Sequence, residues 1–165
     1  MSEPAATDAY VALGSNLGDS RATLAGATEA LADLPGSRLV GASRIYRTPP
    51  WGRRDQPDFL NAVVCLRTSL SPHDLLDALM AIERRFGRTR DGERWGPRTL
   101  DLDLLHVDGV VLDQPRLTLP HPRIGERAFV LLPLADLAPE LELPGQGRVT
   151  ELLQRADTVG CEPVD

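Results

Sequence analysis

Strand-type and helix-type segments alternate along this chain in the order β-α-β-β-α-β. Four short apolar runs predict the strands, and two longer segments with apolar residues at helical spacing predict the helices. The strands are expected at Ala9–Leu13, Leu39–Tyr46, Phe59–Leu66 and Thr99–Val107. That order indicates one antiparallel sheet with two helices on the same face.

Both predicted helices carry their own start and stop signals. Asp19 can cap the first helix, and Pro35-Gly36 stops it. Ser71 followed by a proline opens the second helix, and Gly87 is a natural stop. The predicted fold class is therefore α+β, with a ferredoxin-like core.

The C-terminal third adds a hairpin and helices to this core. Asp108-Gly109 is a hairpin signal, and an apolar helix is expected from about Glu126, interrupted by Pro133. A short helix is expected at Thr150–Arg155. We expect a single domain over residues 1–165, ordered from about residue 8 to residue 156, with loose ends on both sides.

Composition is that of a globular chain with one core. It has 165 residues, of which 42% are hydrophobic and 25% charged, and no apolar stretch approaches the ~20 residues of a membrane helix. The first eight residues are not followed by the apolar segment of a secretory signal. We expect a cytoplasmic monomer, with Cys65 and Cys161 as plain thiols.

Charge restricts the possible partners. The net charge of −6 disfavours binding to nucleic acid or to anionic membranes. All 18 basic residues are Arg, so the chain has neither a Walker A lysine nor a Schiff-base lysine. Any phosphate chemistry must therefore depend on Arg.

Two neighbouring windows have opposite charge. Residues 84–98 contain six Arg against two acidic residues, whereas residues 99–113 contain four Asp and no Arg. Guanidiniums bind phosphate oxygens and carboxylates bind Mg²⁺, so the pair of windows is suited to a metal-bound polyphosphate. Mutual neutralisation on the surface explains the same pattern equally well.

The pair Asp101-Leu102-Asp103 favours the metal interpretation. Residues i and i+2 of a strand face the same side, so both carboxylates project together while the intervening leucine faces the core. Two adjacent hard oxygen ligands are typical of a Mg²⁺ site.

Three further features are candidates of lower specificity. Glu83 lies in the last turn of its helix and needs a partner, either an Arg such as Arg88 or a ligand hydroxyl. His121 lies in a proline-rich extended stretch and is the best phosphate-contact candidate of the three His. Gly14-Ser15-Asn16 offers backbone N–H groups at a strand end, or it is a simple strand-to-helix turn.

Four segments together resemble one enzyme family. They are Ala9–Gly18 (AYVALGSNLG), Tyr46–Pro50 (YRTPP), Gln56–Ala62 (QPDFLNA) and Arg94–Asp103 (RWGPRTLDLD). Their sequence and order resemble the 6-hydroxymethyl-7,8-dihydropterin pyrophosphokinases, from about residue 9 to residue 155. The resemblance implies transfer of the β,γ-pyrophosphoryl group of ATP to the pterin hydroxymethyl, with release of AMP, in folate biosynthesis.

The resemblance also implies roles for individual residues. Two Mg²⁺ ions are expected on Asp101 and Asp103, which with Arg88 and Arg98 form the catalytic set. Contacts with ATP are expected from Glu83, Arg88, Arg98, Arg116, Thr118, His121 and Arg127. The pterin is expected among Thr48, Pro49, Trp51, Phe59, Asn61, Trp95 and Phe129, since a flat heterocycle needs aromatic faces and an amide on its edge.

Two other classes of protein remain as rivals. Gly14-Ser15 followed by Asp101 and Asp103 loosely resembles polymerase-β-type nucleotidyltransferases, although there the two elements are close in sequence. An RNA-binding ferredoxin-like module needs stacking aromatics on its central strands and a basic sheet. The first strand offers only Tyr10, and the chain is acidic.

Overall fold

The structure, a computed structural model, describes residues 5–50, 55–87 and 100–164. The ten strands described are β1 (Thr7–Ser15), β2 (Ser37–Ala42), β3 (Tyr46–Thr48), β4 (Phe59–Thr68), β5 (Asp101–Val107), β6 (Leu112–Asp113), β7 (Thr118–Leu119), β8 (Glu142–Leu143), β9 (Gly147–Arg148) and β10 (Glu162–Pro163). The helices are α1 (Ser20–Ala32), α2 (Pro72–Arg85), α3 (Ala128–Leu137) and α4 (Val149–Arg155), with a 3₁₀ turn at Ile124–Glu126.

Six strands form one antiparallel sheet. Its order is β10-β3-β4-β1-β5, and β2 pairs with β4 beyond the end of β3. The four long strands therefore follow the order β5-β1-β4-β2, with α1 and α2 as the crossovers. The predicted α+β fold with a ferredoxin-like core is confirmed.

A separate apolar cluster fills each face of this sheet. The first lies under α1 and α2 and includes the fully buried Leu31, Leu66 and Leu79. The second lies under α3 and α4 and includes the fully buried Leu131 and Leu134. The C-terminal helices thus add a third layer, and the sheet is covered on both sides.

The second predicted strand, Leu39–Tyr46, is divided in the structure into β2 and β3. Ser43 lies at the break, where its Oγ accepts a hydrogen bond from the Val63 amide at 2.9 Å. The next amide, of Arg44, donates to Asp136 of α3 at 3.2 Å. Both halves still pair with β4, so the break divides the strand without removing either half from the sheet.

Three C-terminal features differ from the predictions. The turn at Asp108-Gly109 is present, but the strand that follows, β6, pairs with β7 rather than with β5. Helix α3 continues through Pro133, where an interruption is predicted. The chain after Asp157, predicted to be loose, contains β10, which pairs with β3.

The predicted caps of the first two helices are present. Asp19 accepts from the Ala22 amide at 3.1 Å, and Ser71 Oγ accepts from the Asp74 amide at 3.2 Å. Within the described residues, no helix is both long enough and apolar enough to span a bilayer.

Candidate active site

Strands β4 and β5 carry polar residues at the same level of the sheet, on either side of β1. Gly14 on β1 pairs with Asn61 on β4 and with Asp101 on β5. Two residues along β1, Ala12 pairs with Asp103 and packs in the cluster under α3. Because alternate residues of a strand share a face, an amide and two carboxylates lie together on the α3 side of the sheet.

The two carboxylates make a donor set suited to Mg²⁺. Asp101 and Asp103 are both half-buried on β5. Among residues 5–50, 55–87 and 100–164, no three His, Cys, Asp or Glu side chains are grouped closely enough to hold a metal ion. Mg²⁺ is typically bound by one or two carboxylates together with water and substrate phosphates. The pair therefore fits a Mg²⁺ ion that is shared with a polyphosphate.

A cavity of about 280 Å³ opens beside Asp103. Three of the predicted ATP contacts, Arg116, Thr118 and His121, line it together with apolar side chains of α2 and β5. The guanidinium of Arg116 is paired with the carboxylate of Asp77 on α2. A concave site with apolar walls and a few converging polar groups is typical of small-ligand sites.

Hydrogen bonds from the main chain of His121 to other segments fix its position. Its amide donates to the Leu105 carbonyl at 2.8 Å, where a bulge shifts the pairing of β5 with β1. Its carbonyl accepts from Gln146 Nε2 at 2.8 Å. Its Nδ1 accepts from the Arg123 amide at 3.2 Å, which requires that Nδ1 carry no proton. The neutral imidazole therefore has Nε2–H as its donor.

Electrostatics favour the same neutral form. Burial and, to a smaller extent, the neighbouring Arg127 and Arg123 guanidiniums lower the pKa of His121 to about 4, against a smaller opposing effect of the Asp101 carboxylate. His121 is thus suited to donate a hydrogen bond to a phosphate oxygen without adding a charge.

The amide of Asn61 lies between a glycine and a threonine. Its Nδ2 donates to Thr48 Oγ1 at 2.6 Å, and both side chains are buried. A Cβ at Gly14 would lie 2.9 Å from Asn61 Oδ1 and 3.9 Å from Phe59 Cδ1. The missing side chain of Gly14 therefore leaves the space in which the Asn61 amide lies.

Helix α3 brings a cation and an aromatic ring to the same side of the sheet. The guanidinium carbon of Arg127 lies 5.7 Å from the centroid of the Phe129 ring. Phe129 is half-buried, and α3 packs against β4, the strand that carries Phe59 and Asn61. A predicted ATP contact and a predicted pterin contact are therefore neighbours.

Residues 10–139 match the family of 7,8-dihydro-6-hydroxymethylpterin-pyrophosphokinase (HPPK). This chain belongs to the HPPK family. A protein of Methylorubrum extorquens named 2-amino-4-hydroxy-6-hydroxymethyldihydropteridine pyrophosphokinase is 51% identical over 96% of this chain and 99% of its own. A protein of the same name from Pseudomonas aeruginosa is 53% identical over 93% of this chain and 94% of its own.

Solved structures support the HPPK fold. Wild-type Plasmodium falciparum HPPK-DHPS with pteroate superimposes with a TM-score of 0.73 at 14% identity, over 94% of this chain. The same protein with pterin and p-hydroxybenzoate gives a TM-score of 0.71 at 15% identity. This chain spans 43% and 44% of those two longer chains.

Glu83 has a partner that the sequence does not indicate. Its buried carboxylate accepts a hydrogen bond at 2.8 Å from the Leu102 amide, between Asp101 and Asp103 on β5. This bond joins α2 to the strand that carries both carboxylates. The expected contact of Glu83 with ATP stays a prediction.

Four of the predicted site residues lie outside the described residues. They are Trp51, Arg88, Trp95 and Arg98. The others lie on β3 and directly after it, on β4, α2 and β5, on the segment between β6 and the 3₁₀ turn, and at the start of α3.

Three residues that support the site carry no local sequence signal. Asp77 pairs with Arg116, and Gln146 hydrogen-bonds the main chain at His121, before the 3₁₀ turn, and at Gly125, within it. Asp136 accepts from the hydroxyl of Tyr46 at 2.9 and 3.0 Å. Each pair is distant in the chain, so only the three-dimensional fold identifies it.

We expect His121 to titrate at about pH 4 in the Mg²⁺-free protein, well below the ordinary value of about 6.5 for a histidine. As the pH falls from about 6.5 to about 4, the unfolded chain takes up a proton on this histidine before the folded protein does. The contribution of His121 to the free energy of unfolding therefore decreases over this range. An NMR titration of the imidazole protons measures the midpoint. A midpoint near 6.5 would contradict the neutral donor assigned here.

Replacing Gly14 by Ala is expected to weaken pterin binding about tenfold, because the new Cβ would displace the Asn61 amide and so remove its predicted hydrogen bond to the pterin. Gly41→Ala is the matched control, since its Cβ would meet Leu137 at 3.3 Å, away from the site. Calorimetric titration with pterin and with MgATP separates the two ligands. Equal weakening of both would show that Gly14 does not act through Asn61.

Proposed function

We propose that this chain transfers the pyrophosphoryl group of ATP to the hydroxymethyl group of 6-hydroxymethyl-7,8-dihydropterin, releasing AMP, in folate biosynthesis. The observation that carries the proposal is the pairing of Gly14 with both Asn61 and Asp101, in a member of the HPPK family. This pairing supports the proposal because an amide suited to a heterocycle edge and a carboxylate suited to Mg²⁺ share one face, at one level of the sheet.

We call the α3-facing surface of β3, β4, β1 and β5 the cleft. ATP is the co-substrate of this reaction, and we assign its triphosphate to the β5 side of the cleft. Asp101 and Asp103 would hold two Mg²⁺ ions together with phosphate oxygens. Mg²⁺ held by these carboxylates would supply positive charge that lowers the repulsion between the phosphates and an incoming hydroxyl oxygen. The bond from Glu83 to the Leu102 amide fixes the strand between the two carboxylates.

We assign the remaining ATP contacts to further polar side chains, three of which line the cavity. His121 would donate through Nε2–H to a phosphate oxygen, and Arg116 and Thr118 line the same cavity. Arg127 supplies a further guanidinium at the start of α3. Arg88 and Arg98 enter the proposal through the family resemblance and would stabilise charge on the transferred and leaving oxygens.

The pterin is assigned to the β3 and β4 side of the cleft. Asn61 donates one N–H to Thr48, and its second N–H and its Oδ1 provide the donor and acceptor that a pterin edge needs. Phe59 and Phe129 would stack on the ring faces, and the backbone at Pro49 would complete the edge. Trp51 and Trp95 are proposed to close the pocket.

In the reaction, the hydroxymethyl oxygen forms a bond to the β-phosphorus of ATP. The bond from the β-phosphorus to the oxygen that bridges it to the α-phosphorus breaks, and AMP leaves with that oxygen. The hydroxyl proton passes to solvent. The carboxylates and the asparagine orient the two reactants toward each other, and such positioning is a large part of catalysis in phosphoryl transfer.

We also propose that the chain acts as a monomer in the cytoplasm, where ATP is supplied. Both faces of its sheet are covered by helices of the same chain, so both apolar clusters are complete without a second copy. Light scattering on the eluting protein should give a mass close to 18.0 kDa.

The proposed function is tested by incubating the protein with ATP, Mg²⁺ and hydroxymethyldihydropterin and separating the nucleotides. AMP that forms only when the pterin is present supports the proposal. ADP would indicate an ordinary kinase, and unchanged ATP would leave only a binding function. Omission of Mg²⁺ is the control that tests the metal requirement.

A further inference from the structure

The C-terminal segment of the chain forms the outer strand of the sheet. In β10, Glu162 pairs with Arg47 and Pro163 with Tyr46, both on β3. The Val164 amide donates to the Ile45 carbonyl at 2.9 Å. Pro163 has no amide hydrogen, so no further strand can extend its outer edge at that residue. We call residues 157–164 the C-terminal strap.

Side chains add two contacts to this pairing. Arg47 and Glu162 form an ion pair at 3.1 Å, but both side chains are about half exposed or more, so the pair contributes little. The guanidinium of Arg21, on α1, donates to the Val164 carbonyl. The main-chain bonds to β3 are therefore the principal attachment, and α1 holds the end of the strap.

The strap also contacts the loop that follows β3. A Cβ at Gly160 would lie 2.9 Å from Cγ of Pro49 and 3.4 Å from its Cδ. Gly160 has a φ of +83°, in the left-handed region that favours glycine. Both the backbone conformation and the close approach require glycine at this position.

Strand β3 has only three residues, so its position depends on its neighbours. On one side β4 pairs with it, with Thr48 opposite Phe59. On the α3 side of the sheet, the carboxylate of Asp136 accepts a hydrogen bond from the hydroxyl of Tyr46. The strap supplies the second edge, which makes β3 an interior strand instead of an exposed one.

We propose that the C-terminal strap is a positioning element for the pterin, acting through Thr48 and Pro49 without touching the ligand itself. This inference rests on the proposed function, which assigns those two residues to the pterin edge. By holding β3 and the Pro49 ring, the strap fixes the position of the Thr48 hydroxyl, which accepts a hydrogen bond from Asn61. The Asp101 and Asp103 side of the cleft, on the opposite edge strand, does not depend on it.

A variant ending at Ala156 tests this directly. Its KM for the pterin should rise about tenfold, because a site that is no longer held in place must be ordered on binding. The KM for ATP and kcat at saturating pterin should stay within about twofold of the full chain, since no ATP contact is lost. A parallel loss in all three parameters, or no change in the pterin KM, would overturn the inference.

A point variant removes the risk that the truncated chain folds poorly. Gly160→Ala drives a methyl group into Pro49. Gly109→Ala is the matched control, because Gly109 also has a left-handed backbone, at φ +77°, but its Cβ would have nothing within 4 Å. The first should raise the pterin KM and the second should not. Equal effects of the two would show that strain, and not the contact with Pro49, is responsible.

Asn61→Ala distinguishes failure of this inference from failure of the proposed function. If it raises the pterin KM while the truncation does not, the pterin site stands and the strap has no positioning role. If Asn61→Ala leaves the pterin KM unchanged, the assignment of the pterin to this side of the cleft is wrong, and the inference falls with it.

Discussion

Asp101→Asn and Asp103→Asn should each lower kcat by at least about 10³, equivalent to about 4 kcal/mol of transition-state stabilisation. Each change would remove a charged ligand from the proposed metal site, while the neutral amide keeps the size of the side chain. Both residues are half-buried on β5 with their neighbours Leu102 and Leu104 in the core, so the fold should survive.

The measurement is steady-state turnover at increasing Mg²⁺ concentrations. We expect the Mg²⁺ concentration for half-maximal activity to rise in both variants, which distinguishes a lost ligand from a general loss of activity. Asp113→Asn is the matched control, because Asp113 is exposed on β6. A kcat within tenfold of the parent for either variant would remove the metal role assigned to that carboxylate.

Leu131→Ala should lower the free energy of unfolding by about 2–5 kcal/mol. Leu131 is fully buried on α3, in the cluster between that helix and the sheet. Its truncation leaves a cavity in the layer that carries Arg127 and Phe129 to the site. The same change at Leu17, which is 48% exposed, should cost under about 1 kcal/mol.

Urea unfolding followed by circular dichroism compares the two leucine variants. A single cooperative transition with a lower midpoint for Leu131→Ala indicates that α3 unfolds with the sheet. Equal stabilities of the two variants would contradict the assignment of α3 to a cooperative second layer of the core.

The core fold is predictable from the sequence because its signals are local. Apolar spacing identifies α1 and α2, and Asp19 and Ser71 cap them as predicted. The long strands β1, β4 and β5 overlap the predicted runs. In each case the side chains that decide the structure are within a few residues of the backbone they affect.

The remaining features depend on partners that are distant in the chain. The division of the predicted strand Leu39–Tyr46 involves Asp136, whose contact with Tyr46 joins residues 90 positions apart. The pairing of β10 with β3 joins Glu162 to Arg47, which are 115 positions apart. Neither contact leaves a periodicity or a motif in its own segment, so the sequence alone predicts a loose end at the C-terminus.

In the candidate site too, some features follow from local sequence patterns and others depend on contacts between distant residues. The shared face of Asp101 and Asp103 follows from the two-residue period of a strand, and the structure places both on that face. The bonds from Glu83 to Leu102 and from Gln146 to His121 join residues 19 and 25 positions apart. Such supporting contacts arise from packing, which local patterns do not encode.

The most direct test of the central claim is to follow each phosphate of ATP through the reaction. With ATP labelled at the β- and γ-phosphorus, both labels should appear in the pterin product, in equal amounts and in step with the AMP formed. The Asp101→Asn protein should give at most about a thousandth of that rate. Transfer of the γ label alone, with ADP as the second product, would contradict pyrophosphoryl transfer by this chain.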